Sequence, residues 1–193
     1  MKSKSVVYLD KTGRAESSKC LEAAALRAAA LGLRDAVVAT TSGRSALELA
    51  RALRKAGSKA RVVGVGYAEN YAAKWGRLER RFTGPAEELG VVFLTGGHAM
   101  GGIGSALCKK FGTIDPAGIV AQTYYTLGQG FKVAVEVALM ARDQGRLAEG
   151  GEVLALGGHG EGADTALVLT PACSAEFFDL RIHEVVCLPR RSR

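Results

Sequence analysis

The sequence predicts an α/β protein whose mostly parallel sheet is covered by helices on both faces. Two observations carry this. Short continuous apolar runs, the pattern of strands buried on both sides, alternate with longer segments whose apolar residues recur at helical spacing. Glycine, 25 of the 193 residues, collects at the junctions between these segments rather than in repeats or linkers. With no repeat period along the chain, one domain over 1–193 is expected, with 1–14 and 189–193 peripheral.

Val6 to Leu9 reads as an initial edge strand. Ser17 and Ser18 are N-cap candidates for a helix in which Leu21, Ala24, Ala25, Ala28 and Leu31 share a face and Gly32 is the stop. Ala36 to Ala39 is a buried parallel strand, followed by the loop Thr40-Thr41-Ser42-Gly43-Arg44-Ser45. The next helix carries Ala46, Leu49, Ala50 and Leu53 inward and ends at Gly57. Arg61 to Val65 is a strand that opens into a polar, aromatic stretch, Tyr67 to Phe82, read as a lid or a subunit contact.

Thr83-Gly84-Pro85 signals the start of a short helix ending near Gly90. Val91 to Leu94 is a strand, and a glycine-rich loop follows at 95–102. Asp115-Pro116 is an N-cap with proline at the first helical position, so a helix runs to about Leu127, where Gly128 and Gly130 break it. Phe131 to Gln144 is apolar nearly all round, as expected of a helix buried between layers. Glu152 to Leu156 and Thr165 to Thr170 are strands whose short glycine-rich link predicts an antiparallel hairpin. Glu184 to Leu188 adds an edge strand.

Composition narrows the function. The apolar fraction of 48% is ordinary for a globular chain. No run of about 18 apolar residues exists, so no membrane span is expected. The apolar run near Met1 is too short for a signal peptide, so Met1 reads as a genuine start and the protein as cytoplasmic. Cys20, Cys108, Cys173 and Cys187 are isolated and read as reduced, mostly buried residues. His98, His159 and His183 stand far from them in sequence, and no metal site is expected. A net charge of +7 suits anionic ligands. The basic residues are scattered, apart from the tail Arg190, Arg191 and Arg193, so nucleic acid is not expected as a partner.

Ligands of open α/β sheets bind beyond the carboxyl ends of the strands, which singles out loops 40–45, 95–102 and 157–164. In the first, Thr40, Thr41, Ser42 and Ser45 offer hydroxyls and Gly43 permits close approach. The following helix presents unpaired N–H groups, and Arg44 offers charge to a phosphate. An N-capping turn with a surface arginine is the plainer reading. In the second loop Gly97 and His98 are candidate contacts; in the third, Gly158 and His159. Lys132 and Glu136, four apart, read as an intrahelical pair or as a lysine facing the ligand. With no GxSxG, no HExxH and no clustered carboxylates, hydrolysis is not expected.

VVATTSGRSALELARALR resembles the C-terminal domain of pyruvate kinase. Over about 15–188 the chain is more similar still to stand-alone pyruvate kinase C-terminal-domain-like proteins of archaea and bacteria. Their blocks STSG, HAxSG, AQT, GQGxKVxxEIAxMAxDAG and GGxGxGADTA read here as TTSGRSA, GGHAMGG, AQTYYTLGQGFKVAVEVALMARDQG and GGHGEGADTALVLTPA. Gly101 stands where the family has Ser, and His159 where it has a small polar residue.

The resemblance implies a three-layer α/β/α fold with a five-stranded sheet in order 3-2-1-4-5, the fifth strand antiparallel. It implies flavin mononucleotide (FMN) as cofactor, its phosphate on Thr41 to Ser45 and its ring against loops 95–102 and 157–164, near Gln122 and Lys132. The alternative is a sensor of a phosphorylated metabolite, related to the effector site of pyruvate kinase. The catalytic barrel of that enzyme is absent, so kinase activity is not expected. A homo-oligomer is.

Overall fold

The computed structural model describes residues 4–191. Met1 to Ser3, on which the reading of a genuine start rests, and the last two residues of the basic tail, including Arg193, lie outside them. In chain order the elements are β1 (Val7–Leu9), α1 (Ser17–Leu31), β2 (Asp35–Ala39), α2 (Arg44–Lys55), β3 (Arg61–Gly66), α3 (Glu69–Trp75) and α4 (Arg80–Glu88). There follow β4 (Val92–Thr95), α5 (Ile103–Phe111), α6 (Pro116–Tyr125), α7 (Gln129–Asp143), β5 (Val153–Gly157), β6 (Thr165–Thr170) and β7 (Arg181–Pro189). Single 3₁₀ turns sit at Gly13–Glu16 and Ser174–Asp179.

One mixed sheet runs β1-β7-β6-β5-β2-β3-β4. Strands β5, β2, β3 and β4 are mutually parallel, and β6 lies antiparallel to both β5 and β7. The resemblance implies five strands; the sheet has seven, as the apolar runs predict, with Val6 to Leu9 and Glu184 to Leu188 among them. The extra two are β7 and β1, paired in parallel through Val7 with Cys187 and Leu9 with Pro189. The strand expected at the edge, Glu184 to Leu188, lies inside, between β1 and β6. Consecutive burial of Val186 and Cys187 fits a strand flanked on both sides.

Gly13 and Arg190, from the segments expected to be peripheral, both hydrogen-bond through their backbone N–H groups to the rest of the fold. Gly13 N–H donates to Asp164 at 2.6 Å and Arg190 N–H to the Leu9 carbonyl at 2.9 Å. Both contacts tie terminal segments to the sheet or its loops.

The two faces of the sheet follow from strand alternation. Ala36, Val38, Leu154 and Leu156 point into a core formed with α1, α2 and α4. Val37, Ala155, Leu167 and Leu169 point the other way, onto α7. From Ala134 to Ala141 every residue of α7 is buried, which its all-round apolarity requires. No helix of the described residues is long and apolar enough to cross a membrane.

Local signals fix several boundaries. Gly32, at φ 63°, ends α1 in a left-handed C-cap. Asp115 caps α6 by accepting from Ala117 N–H at 3.3 Å and Gly118 N–H at 3.2 Å. Ser17, expected to cap α1, does not; its hydroxyl instead accepts from Ala163 N–H at 3.1 Å. Helix α4 starts at Arg80, ahead of the expected Thr83-Gly84-Pro85, because Glu79 N–H pairs with the Ser42 carbonyl at 2.9 Å and the chain turns there. The stretch after Tyr67 contains α3, and 103–111 forms α5, for which no element was expected. Cys20 and Cys187 are buried and Cys108 and Cys173 half-buried; all four are free.

Candidate functional site

Strand β2 pairs with β3 on one side and β5 on the other, so the chain reverses its direction of travel across the sheet at β2. Loops diverge beyond the strand ends at such a point and leave a crevice. Here the crevice has a volume of about 90 Å³. Its walls include Thr40, Thr41 and Ser45 after β2, Tyr67 after β3, His98 after β4, Gly158, Gly160 and Gly162 after β5, and Gln129, Val133, Glu136, Val137 and Met140 on α7.

The α2 wall is locked in place. Gly43 takes φ 97°, and a Cβ there would lie 2.9 Å from Thr83 Cγ2. The chain can therefore enter α2 this close to α4 only without a side chain. Thr40 Oγ1 accepts from the N–H of Gly43, the N-cap residue, at 3.0 Å, and no side chain caps the helix. This leaves the first N–H groups and the positive dipole end of α2 beside Ser45, which is buried at the crevice.

The β5 wall is held equally tightly. A Cβ on Gly157 would lie 2.2 Å from the Gly130 carbonyl oxygen, so α7 begins in direct backbone contact with the end of β5. Fully buried Asp164 accepts from Gly13 N–H, from His159 N–H at 3.1 Å and from the Thr165 hydroxyl at 2.9 Å. Loop 158–164 is thereby clamped to the N-terminal segment.

The floor carries the charge. Glu136 accepts from Lys132 Nζ at 2.5 Å and from Met100 N–H at 3.0 Å, and stands 3.6 Å from His98 Nδ1. Burial alone would push this carboxyl up. The His98 ring and the Lys132 ammonium outweigh it together and hold the group at about 2. On the other edge of the ring, His98 Nε2 is buried with no hydrogen-bond partner among the described residues. A buried ring nitrogen without a partner is costly, and such groups are rare in folded proteins. Tyr67 stacks on the ring at 5.9 Å, and Tyr71, itself stacked on Trp75, meets it at 4.7 Å.

Beyond Thr41 and Tyr67 the crevice adjoins a wider cleft of about 460 Å³, lined by Ala72, Gly76, Arg77, Leu78 and Gly97 among others. Arg77 there forms an ion pair with Glu69 at 2.5 Å.

Of the residues singled out in the sequence, Thr40, Thr41, Ser45, His98 and Gly158 line the crevice and Gly97 the wider cleft. The others do not line it. Ser42 bonds Glu79 through its carbonyl, and Gly43 packs against α4. Arg44 is exposed, pairing with Glu48 at 2.9 Å and lying over the Phe82 ring. Gln122 is exposed on α6, in a separate groove with Cys108 and Ile114, because Ala121 is the residue α6 turns inward. His159 is exposed and contributes only its backbone N–H to Asp164. Lys132 is buried, reaching the site through Glu136, so it is an intrahelical pair and a support for the floor at once.

Sequence reading missed Tyr67, Gln129 and Glu136 as walls. Tyr67 follows a strand directly and was legible as such; Glu136 was visible only as a partner for Lys132. No group of three His, Cys, Asp or Glu side chains converges as a metal site among the described residues. No family model matches the chain.

Proposed function

We propose that this crevice binds a small phosphorylated molecule, and that the molecule is FMN. The observation that carries the reading is a pair of adjoining compartments of unequal size. The inner crevice, about 90 Å³, has about a fifth of the volume of the outer cleft, about 460 Å³, and suits a phosphate group better than a flavin ring. It is lined by the hydroxyls of Thr40, Thr41 and Ser45 at the start of α2, where a helix favours an anion. The outer cleft falls within the ~300–1,000 Å³ of small-molecule sites and shares the Tyr67 wall. A ring seated there lies beside Tyr67, which stacks on His98 in the wall of the inner crevice.

When bound, a flavin supplies one-electron or hydride transfer. The chain's own residues bind the phosphate, wall the ring and keep the His98 ring oriented through Glu136. The run β4-β3-β2-β5-β6, with β6 antiparallel, supports a shared core with the pyruvate kinase C-terminal domain.

A second reading, a sensor of a sugar phosphate, is favoured by the hydroxyl-rich inner wall. Thermal unfolding separates the two: FMN raises Tm in the first case, and a sugar phosphate but not FMN in the second. No shift with either overturns both.

A further inference from the structure

We propose that the apolar face of α5 and α6 is the surface on which two copies of this chain pair. Helix α5 buries none of its residues. Ile103, Leu107 and Phe111 recur four apart and form one stripe, with Ile103 80% and Phe111 66% exposed. Ile114, 75% exposed, stands just before α6, Ile119 on it and Leu127 just after it, and Ile114 and Ile119 share a groove with Cys108 of α5. A helix of 9 residues does not hold itself together in water. It is seated on α6 by one close contact, where a Cβ on Gly104 would fall 2.2 Å from an Asp115 carboxylate oxygen.

The size of the face argues for a second copy. The exposed parts of these six side chains amount to between three and four whole ones, on the order of 600 Å² at ~150–200 Å² each. That is the upper end of the ~300–600 Å² patch of an ordinary monomer. With its polar neighbours it approaches the ~800 Å² that each partner contributes to a standard interface.

Its chemistry argues the same way. Between Ala99 and Gln129 the only charged residues are Lys109, Lys110 and Asp115, and Asp115 is engaged as a cap. The face is therefore charge-poor like an interface core. It lacks the many lysines and arginines of a helix that lies on a membrane. A twofold axis sets such a stripe against itself. The loop carrying His98 runs directly into α5 at Gly102, so pairing also braces that loop.

Native mass spectrometry and light scattering test this. Wild-type protein is expected at twice 20.2 kDa. Phe111→Glu with Ile114→Glu, and separately Ile103→Lys with Leu107→Lys, change only exposed side chains. Each pair is expected to raise the dimer dissociation constant at least ~100-fold, leaving the circular dichroism spectrum unchanged. If one pair impairs folding, the other asks the same question. Three results overturn the proposal: a wild type that is monomeric throughout, a dimer indifferent to both pairs, or a monomer that floats with anionic vesicles.

Discussion

Glu136 Oε2 stands 3.6 Å from His98 Nδ1, joining the buried helix α7 to the loop after β4. The same carboxylate holds Lys132 and the Met100 amide. One buried anion thus positions the ring of His98, a residue of the crevice wall. The arrangement depends on Glu136 remaining ionised.

Glu136→Gln tests that dependence. The carboxyl is held at about 2 against an ordinary 4.5, so the unfolded chain binds its proton first as pH falls. Its stabilisation is fully present above about pH 4.5 and is lost as pH drops through 2. At pH 7 the variant is expected to be less stable by roughly 3 kcal/mol. Urea unfolding at a series of pH values checks it: the gap between the two proteins narrows from pH 4.5 downward. A gap that is constant with pH contradicts the assignment.

Ser45→Ala and Arg44→Ala separate the wall of the crevice from its surroundings. Ser45 lines it, whereas Arg44 is spent on Glu48 at the surface. Loss of the Ser45 hydroxyl is expected to weaken phosphate-ligand binding about tenfold, the worth of one hydrogen bond to an anion. Loss of Arg44 is expected to change it less than about threefold, since exposed pairs contribute little. Isothermal titration with FMN reads both, and a larger loss for Arg44 reverses the assignment.

The fold was legible where a residue's effect is local. Gly32 ends a helix because it reaches positive φ, and Asp115 with Pro116 begins one by capping; neither needs the rest of the chain. The seven strands were legible as apolar runs, but the inner place of β7 was not, because it is set by pairing with β1, a relation between the two ends of the chain. Helix α5 was missed beside a glycine-rich loop, although Ile103, Leu107 and Phe111 carry helical spacing. In the site, the hydroxyls of loop 40–45 were readable from a strand-to-helix junction. The convergence of His98 with Glu136 was not, since it depends on how α7 crosses the sheet. Gln122, implied by the resemblance, lies in a separate groove while Gln129 lines the crevice, because the phase of a helix against the sheet is set only once both are packed.

Asp164→Asn tests the clamp on the N-terminal segment. Asp164 is fully buried and accepts from Gly13, His159 and Thr165. The amide replaces one carboxylate oxygen by a donor that faces donors, at a cost of about 2–3 kcal/mol. Thermal unfolding is expected to show a lower Tm, and limited trypsinolysis faster cleavage after Arg14. Unchanged Tm and cleavage contradict the clamp.

Gly157→Ala and Gly97→Ala form a contrasting pair. A Cβ at Gly157 meets backbone atoms at 2.2 Å and 2.6 Å, and one at Gly97 meets nothing within 4 Å. The first is expected to destabilise by about 3 kcal/mol or more, since two backbone segments must separate. The second is expected to leave stability within about 0.5 kcal/mol. Denaturant unfolding checks both, and equal effects contradict the close approach of α7 to β5.

In the proposed function the crevice beside Ser45 grips the phosphate of FMN. Fluorescence titration of the native protein with FMN and with riboflavin, which differ only in that group, tests it most directly. FMN is expected to bind once per chain and at least ~100-fold more tightly than riboflavin, from two or more charge-assisted hydrogen bonds. Equal affinity for the two, or no FMN binding by folded protein, contradicts it.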